Sequence, residues 1–203
     1  MKLFHAPTSP YVRKVVVLLH ELNCAHDVGF HTVATTAFAS DEGLKAANPL
    51  ARLPALERDD GATLYDSRVI TAYLNDLFDG TFYPQGADRW EVLTLEATGD
   101  GIMDSAVSMA YETRLRPKEE QSSAWVEAQW EKINRSLGVL NTRWMSHLSG
   151  PLTMGQISVG CALSYLNLRH GERQWQSDHT QLASWHAAFE SRPSMIATQP
   201  PDT

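Results

Sequence analysis

Apolar side chains recur along this chain in two rhythms, and the switch between them lays out its elements. Lys2 to His5 has the length of a strand and is closed by Pro7. Ser9-Pro10 then marks a helix start, an N-cap followed by proline at the first helical position. Val12, Val15, Val16, Leu19 and Leu22 follow at three-and-four spacing, a broad apolar face that predicts a helix buried in an α/β layer. Val28 to Val33 predicts a second strand, the polar Ala34 to Glu42 a loop, and Gly43 to Ala47 a short helix. From Asn48 to Ser67 the chain reads NPLARLPALERDDGATLYDS: two X-Pro steps, an apolar run, an Asp-Asp-Gly turn, a second apolar run and Asp-Ser. That pattern predicts a β-hairpin entered through a proline turn and left through a helix cap, with Ser67 as the N-cap. Val69, Ile70, Tyr73, Leu74, Leu77 and Phe78 carry the helix from Ser67 to about Phe78.

The resulting order, with a crossover early and a hairpin late, implies a mixed four-stranded sheet with helices on its faces, an α/β thioredoxin-like domain over residues 1–78. Asp79 to Asp88, with two glycines and a proline, reads as a linker. Residues 89–203 are expected to form an all-α carboxyl-terminal domain. Val92, Leu95, Gly99, Ile102, Ala106 and Met109 make one stripe, and Val126, Trp130, Ile133, Leu137, Leu140 and Trp144 another. Thr153 and Gln156 fit a capping box, flanked by Leu152 and Ile157 as a hydrophobic staple. A last helix is expected over about Gln181 to Phe189, and the Pro-rich tail after Arg192 is expected to be loosely held.

Charge and cysteine usage narrow the function classes. The 17 basic and 24 acidic side chains give a net charge of −7, which argues against a general nucleic-acid binder. No apolar run approaches a membrane span, and the start MKLFHAPTSP lacks the apolar region of a signal peptide. Cys24 and Cys161 are far apart and in no paired motif, so a reduced, cytoplasmic setting is expected. The eight histidines fall in scattered contexts with no paired-cysteine or His-Glu-x-x-His motif, and no metal is expected.

Leu53-Pro54, Asp66-Ser67 and Ser9 together resemble the glutathione site of the glutathione transferase family, closest to bacterial transferase-like proteins that begin with a Thr-Ser-Pro-aromatic turn. The resemblance runs over the whole chain and implies glutathione as co-substrate, a small electrophile as second substrate and a two-fold homodimer. A thiol titrates at about 8.5, so a hydroxyl donor and a helix N-terminus aimed at sulfur would favour the thiolate. Ser9, placed to cap the first helix, can supply both; Thr8 and Tyr11 are its rivals, and no cysteine stands there for disulfide exchange. Leu53-Pro54 suits a cis peptide bond, leaving the Leu53 N–H and C=O for a peptide ligand. The resemblance implies Arg52 for the glycine carboxylate, and Asp66 and Ser67 for the γ-glutamyl end. It also implies that Tyr11, Met103, Asp104 and Tyr111 border the second-substrate pocket, with Asp100 reaching glutathione across a dimer interface. Conjugation, isomerisation and peroxide reduction stay open as reactions. A non-catalytic glutathione-binding or protein-interaction module is the alternative.

Overall fold

The computed structural model describes residues 1–201, and the chain forms two compact units: Met1–Pro84 together with the chain from Pro193 onwards, and Gln85–Arg192. The first is built around β1, Lys2–His5, whose Leu3 and Phe4 are buried. A tight turn, closed by the Ser9 N–H on the Ala6 carbonyl at 3.0 Å, leads into α1, Pro10–Glu21. The apolar face expected of this helix is buried from Val12 through Leu19. β2, Gly29–Thr32, returns parallel to β1, with His5 opposite Thr32. α2, Glu42–Ala47, starts at Asp41, whose carboxylate accepts the Leu44 N–H at 2.8 Å. β3, Ala55–Glu57, then pairs antiparallel with β1, Phe4 opposite Ala55.

The sheet is therefore mixed but has three strands, in the order β2-β1-β3, where the sequence pattern suggested four. The returning arm of the hairpin is reduced to one bridge, Leu56 with Leu64, joined by two N–H···O bonds of 2.9 Å. Before Leu64, the Arg58 guanidinium ties the turn to the Ala62 carbonyl; after it, only Tyr65 precedes a residue committed to a helix cap. Too little chain is left to extend a ladder.

A second correction concerns that cap. α3, Ser67–Leu77, is capped by Asp66 and not by Ser67: Asp66 Oδ1 accepts the Arg68 N–H at 3.0 Å. Asp and Ser are both strong caps, and the carboxylate adds a favourable charge at the positive end of the helix dipole. Ser67 becomes the first helical residue, 3% exposed. After α3 the chain stays fastened to it, through Gly80 N–H on the Asn75 carbonyl, Phe82 N–H on Asn75 Oδ1 at 2.9 Å, and the Tyr83 and Thr71 hydroxyls 2.8 Å apart.

The second unit is helical: α4, Asp88–Arg114; α5, Ser123–Arg143; the short α6, Met145–Leu148; α7, Met154–His170; and α8, Thr180–Glu190. α7 is buried on every side from Met154 to Leu166, which makes it the centre of this unit. Glycine lets α4 come close to it: a Cβ on Gly99 would stand 2.7 Å from the Ser158 carbonyl carbon. The Thr153–Gln156 capping box is present at its start. Among the described residues no helix is long and apolar enough to cross a membrane.

The tail is the third correction. Residues Pro193–Ala197 form α9, which docks on α1 instead of hanging free. Arg13 Nη2 donates to the Met195 carbonyl at 3.0 Å, Arg13 Nε to Thr198 Oγ1 at 3.3 Å, and the Ser194 hydroxyl to Glu21 Oε1. Met195 and Ser194 are buried, and that burial anchors a segment too short to be helical on its own.

Candidate functional site

Strand register brings the three sequence features to one edge. Continuing the β1–β3 pairing past Phe4–Ala55 sets Pro54 opposite His5 and Leu53 opposite Ala6. The bridge between Leu56 and Leu64 leaves one residue, Tyr65, before Asp66. The Ala6–Ser9 turn, the Leu53–Pro54 step and the Asp66–Ser67 helix start therefore lie together at the carboxyl end of β1. Both α1 and α3 begin there, so two helix N-termini, each with partial positive charge, face the same edge.

Each feature has a local cause. Ser9 is extended at φ −78°, ψ 120°, and its Oγ accepts the Val12 N–H at 3.4 Å, a role as acceptor that leaves the hydroxyl proton uncommitted to the cap. The Leu53–Pro54 bond is cis, and so is Tyr65–Asp66. Leu53 lies outside the strand ladder, half-buried, while Pro54 is buried. Arg52 is exposed, with its carbonyl held by Asn48 Nδ2 at 2.8 Å. Asp66 is exposed, and its second oxygen faces the Arg68 guanidinium at 3.6 Å.

Asn48 is the residue that sequence reasoning passed over. It is buried, donates to the Arg52 carbonyl, accepts the Leu50 N–H at 3.0 Å, and its own carbonyl takes the Ala51 N–H at 2.8 Å. One side chain thus ties the turn that presents Leu53, including Ala51 in the left-handed region at φ 51°. The Asn-Pro dipeptide announced a turn, but not that its amide would be spent inside it. Two further polar atoms belong to this edge, His5 Nδ1 at the end of β1 and Thr35 Oγ1 just beyond β2. Both are buried without a hydrogen-bond partner, and burial holds the His5 imidazole below its ordinary pKa.

Tyr11, on the first turn of α1, is half-buried. On α4, Asp104 and Tyr111 are exposed and Met103 is fully buried. Asp100 is buried within the helical unit, where the Ser158 hydroxyl lies 3.3 Å from its Oδ1 and 3.1 Å from the Glu96 carbonyl. Among the described residues no group of three His, Cys, Asp or Glu side chains could hold a metal ion.

The chain thus carries an α/β unit with a cis-proline turn and a capped helix N-terminus, followed by a helical unit. Residues 3–82 match the glutathione S-transferase amino-terminal domain, and residues 123–188 its carboxyl-terminal domain. The uncharacterized GST-like protein YibF of Escherichia coli K12 is 31% identical over 205 residues, 99% of each chain. A glutathione transferase family member from Pseudomonas fluorescens Pf-5, solved with bound glutathione, superposes with a TM-score of 0.96 at 44% identity over 98% of both chains. A glutathione S-transferase from Methylobacillus flagellatus KT, solved with GSH bound, gives a TM-score of 0.85 at 33% identity over 98% of this chain and 99% of that one. This chain belongs to the glutathione S-transferase family.

Proposed function

We propose that this protein is a glutathione transferase that binds glutathione in its amino-terminal unit and promotes attack of the thiolate on a small electrophile. What supports this reading is the antiparallel pairing of β1 with β3, which starts β3 just after Leu53–Pro54 at the end of β1 from which the Ser9 turn leaves, with the Asp66 cap two residues beyond the Leu64 bridge. The glutathione bound to the Pseudomonas relative, at 44% identity, supports it.

The roles follow from the donors available. Leu53 pairs its N–H and C=O with the tripeptide backbone as an added strand would. Arg52, exposed beside it, takes the glycine carboxylate. Ser67 and the first-turn N–H groups of α3 take the γ-glutamyl carboxylate, with Asp66 turned to the ammonium group. Ser9 donates its hydroxyl proton to sulfur while the α1 N-terminus adds its partial positive charge, and both favour the thiolate over the thiol. Positioning and thiolate stabilisation supply the catalysis. For the electrophile, Asp104 and Tyr111 offer exposed side chains on α4, and Met103 of the same helix is buried. A homodimer acting in the cytoplasm on toxic electrophiles completes the proposal.

Replacing Ser9 by alanine tests the central role. With glutathione and a reactive aryl halide near pH 6.5, Ser9→Ala is expected to lower kcat/KM by at least about tenfold, as the loss of one stabilising donor does. The acid limb of the pH profile should move toward about 8.5, the value of an unassisted thiol. Ser9→Thr, which keeps the hydroxyl, should retain most of the activity. An unchanged rate in Ser9→Ala would pass the role to Thr8 or Tyr11. Saturable glutathione binding with no turnover over a broad electrophile panel would instead mark the protein as a binding module.

A further inference from the structure

The contact between α9 and α1 reaches further than packing, because of where on α1 it is made. Arg13 sits in the first turn, and its own N–H forms the first intrahelical bond, to the Ser9 carbonyl at 3.0 Å. Its side chain is buried and ends on two acceptors of the tail, the Met195 carbonyl and Thr198 Oγ1. The Thr198 hydroxyl completes the arrangement by donating to the Ser194 carbonyl at 2.8 Å. In the last turn of the same helix, Glu21 accepts the Ser194 hydroxyl. The tail therefore grips α1 at two points eight residues, or about 12 Å, apart along its axis.

Most of the buried face of α1 is apolar: Val12, Val15, Val16, Val17, Leu18 and Leu19 are all buried, with the Lys14 side chain buried on the same helix. Apolar contacts are non-directional and oppose removal of the helix more strongly than a small slide or rotation of it. Directional, charge-assisted bonds from a guanidinium oppose the slide. We propose that residues 193–198 form a working part of the glutathione site: gripping Arg13 and Glu21, they fix the position of α1 and so the aim of the Ser9 hydroxyl, which makes Arg13 a positioning residue for the thiol. This rests on the assignment of Ser9 to the thiol given above. A hydrogen bond to sulfur weakens steeply with misalignment, and displacements well under 1 Å cost activity. Arginine suits this grip because its planar fork donates to the two tail acceptors from two separate nitrogens, Nη2 and Nε.

Three variants test this: Arg13→Ala, Arg13→Lys and a chain ending at Arg192. Two readouts are taken, the pH profile of kcat/KM with glutathione and amide exchange over Val12–Lys14 without it. Arg13→Ala and the shortened chain are expected to move the acid limb upward by about 0.5–1 pH unit and to lower kcat/KM near pH 6.5 by roughly 5- to 20-fold, as a modest misplacement of a stabilising donor does. Exchange at the first turn of α1 should accelerate about tenfold or more while α4 and α7 keep their wild-type exchange. Arg13→Lys should fall between. Should the shortened chain not fold, Ser194→Ala and Arg13→Lys carry the test through the same readouts. A lowered Tm with the wild-type profile and wild-type exchange at Val12–Lys14 would overturn the proposal, leaving the tail as packing alone. If the wild type shows no glutathione turnover, the transferase reading fails separately, and the exchange measurement alone decides whether the tail positions Ser9.

Discussion

His170, at the end of α7, is buried and its Nε2 lies 2.9 Å from the Ala106 carbonyl, which it meets as a donor. Burial is the main cause that holds its pKa below 6.5, partly opposed by that hydrogen bond and by Glu172; Arg173 and Arg169 act with burial. His5 and His179 are lowered by burial as well. A histidine lowered on folding is neutral in both states well above 6.5, so its contribution to stability is complete there. As pH falls below 6.5 the unfolded chain takes up the proton first, and that contribution is lost down to the folded pKa. Denaturant midpoints should therefore fall between about pH 7.5 and pH 5.5, and His170→Gln should flatten the slope. An unchanged slope in that variant would show that His170 does not titrate on unfolding in this window. At this scale Ser9 as a cap and the Leu53–Pro54 turn were legible, because each is written in a dipeptide. The exchange of Asp66 for Ser67 as cap was not, since two strong capping residues stand side by side and only the backbone decides between them. Asn48 was hidden for a related reason: its partners, Leu50 and Arg52, are neighbours only in the folded turn.

Element by element, periodicity located the helices within a few residues, and the corrections fall where tertiary partners decide. The hairpin lost its second strand to the demands of the α3 cap. The tail acquired a helix because α1 offers Arg13 and Glu21, 182 and 173 residues away in sequence. The start of α7 is the most instructive case. A capping glutamine brings no charge to the helix dipole, but its amide does what a carboxylate cannot. Gln156 Oε1 accepts the Thr153 N–H at 2.9 Å, while Nε2 donates to the His147 carbonyl at 3.0 Å and the Pro151 carbonyl at 2.6 Å. It thereby ties α6 and the following turn to α7. Gln156→Asp adds charge at the helix N-terminus, worth about 0.3–1 kcal/mol, but removes the amide donor from the Pro151 carbonyl and leaves the His147 carbonyl with the Gly150 N–H alone. The net expectation is a loss of about 1–3 kcal/mol in urea unfolding. Stability equal to or above the wild type would mean that the charge outweighs the two lost bonds.

Over the whole molecule, the family architecture was legible because an alternating-then-helical pattern, a linker and three short motifs agree on it. What the pattern could not carry was the return of the carboxyl terminus to the first unit, since nothing in PSMIA specifies a partner. With a net charge of −7, an acidic chain that gathers an anionic tripeptide must do so through local donors and not through its overall field. The central claim is that the edge formed by Ser9, Leu53–Pro54 and Asp66–Ser67 binds glutathione with its thiol ionised. The measurement that meets it most directly is a calorimetric titration at neutral pH with glutathione and with S-methylglutathione, each in two buffers of different ionisation enthalpy. Saturable binding of both ligands is predicted, with proton release for glutathione alone. No saturable heat with either ligand would contradict the account.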